Sequence, residues 1–283
     1  MWTTRQVTRA DQDAWVDLCK ASAGPDDYVL DFLDHFLVRA TTYVALDGDR
    51  FIGTMTYTEL LDGAAWLSAA RTLPEYRGRW VASDLVRAFE GLSRLRGRTG
   101  LRLWTAASNE AGIATFRRNG LREVARFTRM KAEVSSAKVH SRFVPLRIDD
   151  ELWARLEASA IFAKSKGYVS YDYGFVRVDR NLIRSLWEAG ALLGWDSQAA
   201  VVSGASEGYV EETLEFSPLA GDPAELLAEA RVHAAARDQA RVETFLPHDP
   251  GILETAGRAG FTNMEWGQEA ILCEKPLGPA PPV

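Results

Sequence analysis

Pro74-Glu75-Tyr76-Arg77-Gly78-Arg79-Trp80-Val81-Ala82-Ser83-Asp84-Leu85 joins a strand-like run, Ala64 to Leu73, to a helical pattern, Ala82 to Leu95. A strand that feeds a helix through a short Arg/Gly turn aims backbone N–H groups and the positive helix end at one spot, which favours a phosphate or pyrophosphate. Arg77 and Arg79 add side chains able to make charge-assisted hydrogen bonds. A solvated Arg-Gly turn that holds nothing is the plainer alternative.

Upstream, two helical patterns (residues 10–22 and 26–40) precede strand-like runs from Thr42 to Leu46 and Phe51 to Thr58, which with Ala64 to Leu73 read as an antiparallel meander. Asp47-Gly48-Asp49 and Leu61-Asp62-Gly63 supply its turns. Arg5 to Thr8 can add a first strand. Downstream come a strand from Leu101 to Thr105, a short helix from Asn109 to Arg118, and a strand pair after Gly120. This order predicts an α+β fold, a mixed and mostly antiparallel sheet flanked by helices, with one parallel crossover.

Residues 134–146 have little periodicity and include Ser135, Ser136, Lys138, Ser141 and Pro145. The expected division is a first domain over 1–135, a linker over 136–146 and a second domain over 147–283. The second half echoes the first. A helix from Pro223 to Ala236, a strand from Arg241 to Leu246, Asp249 and Gly260-Phe261 repeat the order of Ala82 to Leu95, Leu101 to Thr105, Asn109 and Gly120-Leu121. A duplicated domain is the expectation.

The composition is that of a globular protein, 47% hydrophobic and 25% charged, without an apolar run of membrane-spanning length. No membrane partner and a cytoplasmic location are expected, because the N-terminal residues lack an apolar signal region and the only cysteines are Cys19 and Cys273. Four histidines without ligand spacing predict no metal. Through residue 140 there are 20 Lys and Arg against 17 Asp and Glu, and thereafter 13 against 22. The first half suits an anionic small molecule; the acidic second half argues against nucleic acid.

The stretch from Arg77 to Ala82 resembles the acyl-CoA motif of GNAT acyltransferases, Arg/Gln-x-x-Gly-x-Gly/Ala, with Arg77 first and Ala82 last. Asn109 to Leu121 is similar to the family's second motif, Asn-x-x-Ala followed by an aromatic and then Gly-Phe. The resemblance covers about residues 3–133 and implies two tandem GNAT-like domains, the second degenerate. It also implies acetyl-CoA as co-substrate and direct attack by an amine, a small molecule or peptide, on the thioester. Backbone groups near Arg71, Thr72 and Leu73 would hold the pantetheine. Amides through Arg77, Gly78, Arg79, Trp80, Val81, Ala82 and Ser83 would hold the pyrophosphate, with Asn109 on the pantetheine and Phe116 in the slot that often carries a tyrosine acid.

Three positions depart from the family pattern. Trp80 stands in the central glycine slot, Phe116 has no proton to donate, and Ala64 occupies the strand position that bears a glutamate base in some members. Glu59 is therefore nominated as the base. Asp27, Tyr28 and Asp31, in the region where the family receives its acceptor, would favour a cationic amine. In the second half Asp249 replaces the asparagine and no arginine precedes the helix, so CoA is not expected there. Tyr168, Tyr171, Tyr173 and Phe175 line an acceptor cleft or form a core strand. A non-catalytic acyl-CoA-binding module and transfer of a longer acyl group are the rival functions.

Overall fold

The runs around the Arg-Gly turn become adjacent strands in the computed structural model, which describes residues 2–135, 139–204, 212–265 and 268–278. The chain begins with β1 (Thr3–Gln6), α1 (Gln12–Ala23), a short 3-10 turn at Tyr28–Leu30 and α2 (Leu33–Arg39). β2 (Thr41–Asp47), β3 (Arg50–Glu59) and β4 (Ala65–Thr72) follow, then α3 (Val81–Leu95), β5 (Gly100–Ala106), α4 (Glu110–Arg118) and β6 (Arg122–Glu133). β6 is one long strand rather than the expected pair. Its backbone pairs along most of its length with a single later strand, which leaves no turn to divide it.

The remaining elements are β7 (Val144–Pro145), α5 (Asp150–Ala158), α6 (Ala160–Lys164), β8 (Tyr168–Tyr171), β9 (Gly174–Arg177), α7 (Arg180–Glu188), β10 (Leu192–Trp195) and β11 (Gln198–Gly204). β12 (Thr213–Ala220), α8 (Pro223–Ala235), β13 (Arg241–Pro247), α9 (Pro250–Arg258), β14 (Thr262–Asn263) and β15 (Glu269–Pro276) complete the fold. No helix among the described residues is long and apolar enough to cross a membrane.

Two compact units emerge, the first within Met1–Leu103, Glu110–Arg122 and Cys273–Val283, the second within Trp104–Asn109 and Glu123–Leu272. These boundaries differ from a cut at 136–146, since the end of β15 groups with the first unit and β6 with the second. Ser136 and Lys138 of the expected linker lie outside the described residues. Ser141 and Arg142 beyond them bond Glu229, and Phe143 is buried, so this stretch is packed.

In the first unit β1, β2, β3 and β4 run antiparallel in order, and β4 joins β5 in parallel. Both faces of β3 are buried, because α1 and α3 pack on it. Phe89 of α3 stacks on Tyr57 at 5.5 Å and lies 4.7 Å from Tyr43, a buried aromatic contact of the kind that contributes about 1 kcal/mol beyond its area. Gly53 lets α3 approach. A Cβ there would sit 2.6 Å from Val81 Cγ1 and 3.0 Å from the Arg71 carbonyl oxygen. Arg102 of β5 pairs with Asp62 and, at 2.9 Å, with Glu274 of β15, an ion triad buried at the sheet's end.

The second unit repeats the design. β6, β13, β12, β11, β10 and β7 are successive neighbours, with β12 and β13 parallel over Thr213–Phe216 and Arg241–Thr244. β8 and β9 form a separate hairpin. Phe175 is buried against Phe127 at 4.6 Å and Phe245 at 5.1 Å, and Tyr168 is buried too, so these two are core, whereas Tyr171 and Tyr173 are half-buried.

Candidate acyl-CoA site

β4 pairs with β5 at Ala65–Leu101 and Trp66–Arg102, then continues to Thr72. Three residues beyond the last pair Ala69 takes φ 50°, and the register with β3 shifts between Thr54 and Thr56. This is a bulge, which bends its strand and increases the twist where the parallel pairing ends. Sequence reasoning missed it, because alanine carries no bulge signal.

Beyond Thr72 the chain makes a 3-10 turn at Pro74–Tyr76 and enters the exposed residues Arg77 to Trp80. Gly78 has φ 75° and Trp80, the N-cap of α3, has φ 73° and ψ 3°. The residue that departs from the family glycine thus occupies the left-handed conformation glycine provides at little cost. Its side chain does not cap the helix. The first-turn amides of α3, Val81 to Ser83, have no carbonyl one turn earlier, so a bare helix end faces the exposed turn. Their side chains divide by face: Val81 and Ser83 are buried, Ala82 is half-buried, and the Ser83 hydroxyl accepts from Asn119 Nδ2 at 2.8 Å.

The arginines of the turn are partly committed. Arg77 Nη2 donates to the Ser22 carbonyl near the end of α1 at 2.7 Å, and its Nε to the Thr72 carbonyl at 3.4 Å. Arg79 lies over the Tyr76 ring, whose hydroxyl donates to Asp47. Leu73 is buried and its amide donates to Ile52. Phe116 on α4 is buried, and Arg118, two residues on, lies 4.9 Å over Trp80. Asn109 just precedes α4, bonded through Nδ2 to Thr105 Oγ1 at 2.9 Å, and groups with the second unit.

The nominated acceptor residues prove to be of two kinds. Asp27 is buried and clamped by Arg71, with Nε at 2.6 Å and Nη2 on its other oxygen. It also accepts the Val29 amide at 3.1 Å. Arg71 in turn lies 5.1 Å over Tyr28, so all three side chains belong to one packed cluster. Burial raises the Tyr28 phenol above its usual range, while the Arg71 cation and a hydrogen bond from the Ala69 backbone act against that shift. Burial also pushes the neighbouring Cys19 thiol up to about 12, and so keeps it protonated. Asp31, by contrast, is exposed.

Glu59, the last residue of β3, lies beside the opposite end of β4. It pairs with Ala65 across the strands and its carboxylate bonds Arg96 at 3.2 Å and Arg98 at 3.1 Å. Ala65 and Thr72 lie seven positions apart along β4, about 23 Å at the usual rise, so this carboxylate is remote from the turn. Ala64 is fully buried.

In the second unit the corresponding helix ends are closed by carboxylates. Asp222 accepts from the Ala224 amide at the start of α8, and Asp249 from Ile252 at the start of α9. Lys164 pairs with Asp249 at 2.7 Å beside a cavity of about 500 Å³ lined by Ala220, Gly221 and Pro223. Among the described residues no group of three or more His, Cys, Asp or Glu is placed to hold a metal.

Residues 6–121 match the acetyltransferase (GNAT) family, whose members transfer acetyl groups from acetyl-CoA. No curated protein matches the chain. Among solved structures, a GCN5-related N-acetyltransferase from Sphaerobacter thermophilus is similar over 100% of this chain and 98% of its own, with 14% identity and a TM-score of 0.60. A tandem GNAT protein from the clavulanic acid biosynthesis pathway aligns over 99% of this chain and 100% of its own, with 13% identity and a TM-score of 0.54. Residues 6–121 thus match the GNAT acetyltransferase family, and over its whole length the chain has the fold seen in that tandem GNAT protein.

Proposed function

We propose that the first unit binds acetyl-CoA and transfers its acetyl group to an amine by direct attack. The observation that carries this reading is the uncapped N-terminus of α3 behind the exposed turn Arg77 to Trp80, placed where β4 bends after its last pair with β5. Amides there would receive the pyrophosphate, and the splayed end of β4 would receive the pantetheine. A hydrogen bond from a fixed backbone amide to the thioester oxygen strengthens as charge develops there and lowers the barrier by about 3 kcal/mol. Glu59, ion-paired and remote, is given no part in this step. The amine arrives as its free base, and the thiolate leaves without a dedicated acid, since Phe116 has none to offer. The rate therefore rises with pH as the amine loses its proton.

Asp31, exposed beside the Asp27–Arg71 clamp, is the carboxylate we assign to a cationic acceptor. The test is binding of acetyl-CoA by calorimetry, followed by free-thiol release with polyamines, aminoglycosides, amino acids and peptide N-termini from pH 6 to 9. Turnover that climbs with pH supports the transferase. The buried apolar Phe116 favours a second reading, a non-catalytic acyl-CoA-binding module. Tight binding without thiol release from any amine would select it.

A further inference from the structure

Trp80 is 55% exposed, although large aromatic side chains are ordinarily well covered. It holds a left-handed backbone conformation that L side chains rarely adopt, and its indole is not buried in the core in compensation. What contacts the ring is Arg118, whose guanidinium carbon lies 4.9 Å from the ring centroid. Arg118 is itself exposed and steadied by Thr115 Oγ1 at 3.3 Å. Arg79 and Arg50 lie over Tyr76 in the same turn, at 5.5 and 5.8 Å. The turn thus presents an exposed indole, with the Arg118 guanidinium of α4 lying over its ring, at the N-terminus of α3.

We propose that Trp80 and Arg118 form a stacking platform for the adenine of the bound CoA. The proposal rests on the acyl-CoA reading of the same turn. A purine offers a π-face to an indole or a guanidinium and stacks on either without needing a hydrogen-bond pattern. A glycine in this slot would allow the pyrophosphate to approach more closely but would give the base nothing to lie on. The side chain at position 80 therefore exchanges some backbone contact for a nucleotide contact, and the affinity of this chain for CoA depends on the adenosine half of the ligand.

The experiment compares CoA with phosphopantetheine, which lacks the adenosine, in calorimetric titrations of the full chain and of Trp80→Gly and Trp80→Tyr. Glycine suits the left-handed backbone, so the first variant keeps the turn while removing the ring. The expected result is a loss of about ten-fold in CoA affinity in Trp80→Gly, within the range for removing an aromatic stacking partner, with phosphopantetheine binding undiminished. Trp80→Tyr, which keeps an aromatic face, should recover most of the CoA affinity. Equal or tighter CoA binding by Trp80→Gly overturns the platform, as does an equal loss for both ligands. A wild-type chain that binds neither ligand overturns the acyl-CoA reading itself, an outcome distinct from either of those.

Discussion

Two side chains carry a role that their positions in a motif do not reveal. Asp27 and Arg71 are 44 residues apart, and the motif assigns one to the acceptor and the other to the pantetheine arm. In the fold they neutralise each other. Replacing one member of a buried pair strands the other charge, so Asp27→Asn should lower stability by about 3 kcal/mol. Urea unfolding monitored by circular dichroism checks this. If Asp27→Asn instead kept full stability and lost only affinity for amines, Asp27 would be an acceptor ligand after all. Arg77 makes a similar point on a smaller scale. Its guanidinium holds the Ser22 carbonyl near the end of α1, so its removal loosens the turn as well as any phosphate contact.

At the scale of elements, helix ends distinguish the two copies. α3 begins with a residue that caps nothing, whereas α8 and α9 begin with aspartates that satisfy their own first-turn amides. An anion approaching α8 or α9 must displace a carboxylate already in place. α8 also carries a buried histidine. His233 is held by Ser141 through Nδ1 at 2.9 Å and packs edge-on against Phe143 at 5.3 Å. Burial, aided by the nearby Arg237 charge, lowers its pKa to about 4. A histidine whose folded pKa lies below the unfolded value of about 6.5 stays neutral in the fold while the unfolded chain takes up a proton. Its share of stability is therefore intact above about pH 6.5 and is lost as the pH falls towards 4. His233→Gln should remove on the order of 2 kcal/mol of that acid-side loss. Urea midpoints of both proteins at pH 7 and pH 4.5 measure it; the same drop in each would show that His233 does not contribute.

At the scale of the molecule, the capped ends of α8 and α9 predict one CoA per chain. Calorimetry of the full chain should give a stoichiometry near unity, and a second site of similar affinity would contradict the assignment to α3. The first unit is also not contained in the first half of the sequence. Arg102 takes Glu274, Glu90 takes Lys275 at 2.6 Å, and the Leu277 amide donates to the Thr99 carbonyl at 2.8 Å. Truncation after Gln268 removes all three contacts and deprives Arg102 of one of its two buried carboxylates. The expected cost is about 3 kcal/mol, seen as a lower melting temperature of the truncated chain. Unchanged melting would mean that the end of β15 adds nothing to the first unit.

From residue order alone, the Arg-Gly turn, the helices on either side of position 100, the parallel crossover and the echo of its helix and strand after residue 223 were all legible. Each depends on short-range rules: apolar periodicity sets helix or strand, glycine and aspartate place turns, and a strand-turn-helix exposes amides wherever it occurs. The separation of Glu59 from the turn was hidden, since a position on a strand says nothing of which end of the neighbouring strand it meets. Ala69 as the bulge was hidden too, because nothing in alanine's chemistry demands a positive φ. The Asp27–Arg71 clamp, the Arg118 guanidinium over Trp80 and the allegiance of residues 273–277 to the first unit were decided only by tertiary structure. Those contacts join residues from 38 to 185 positions apart, and which charges and rings meet at such distances is set by how sheet and helices pack, not by any local preference of the chain.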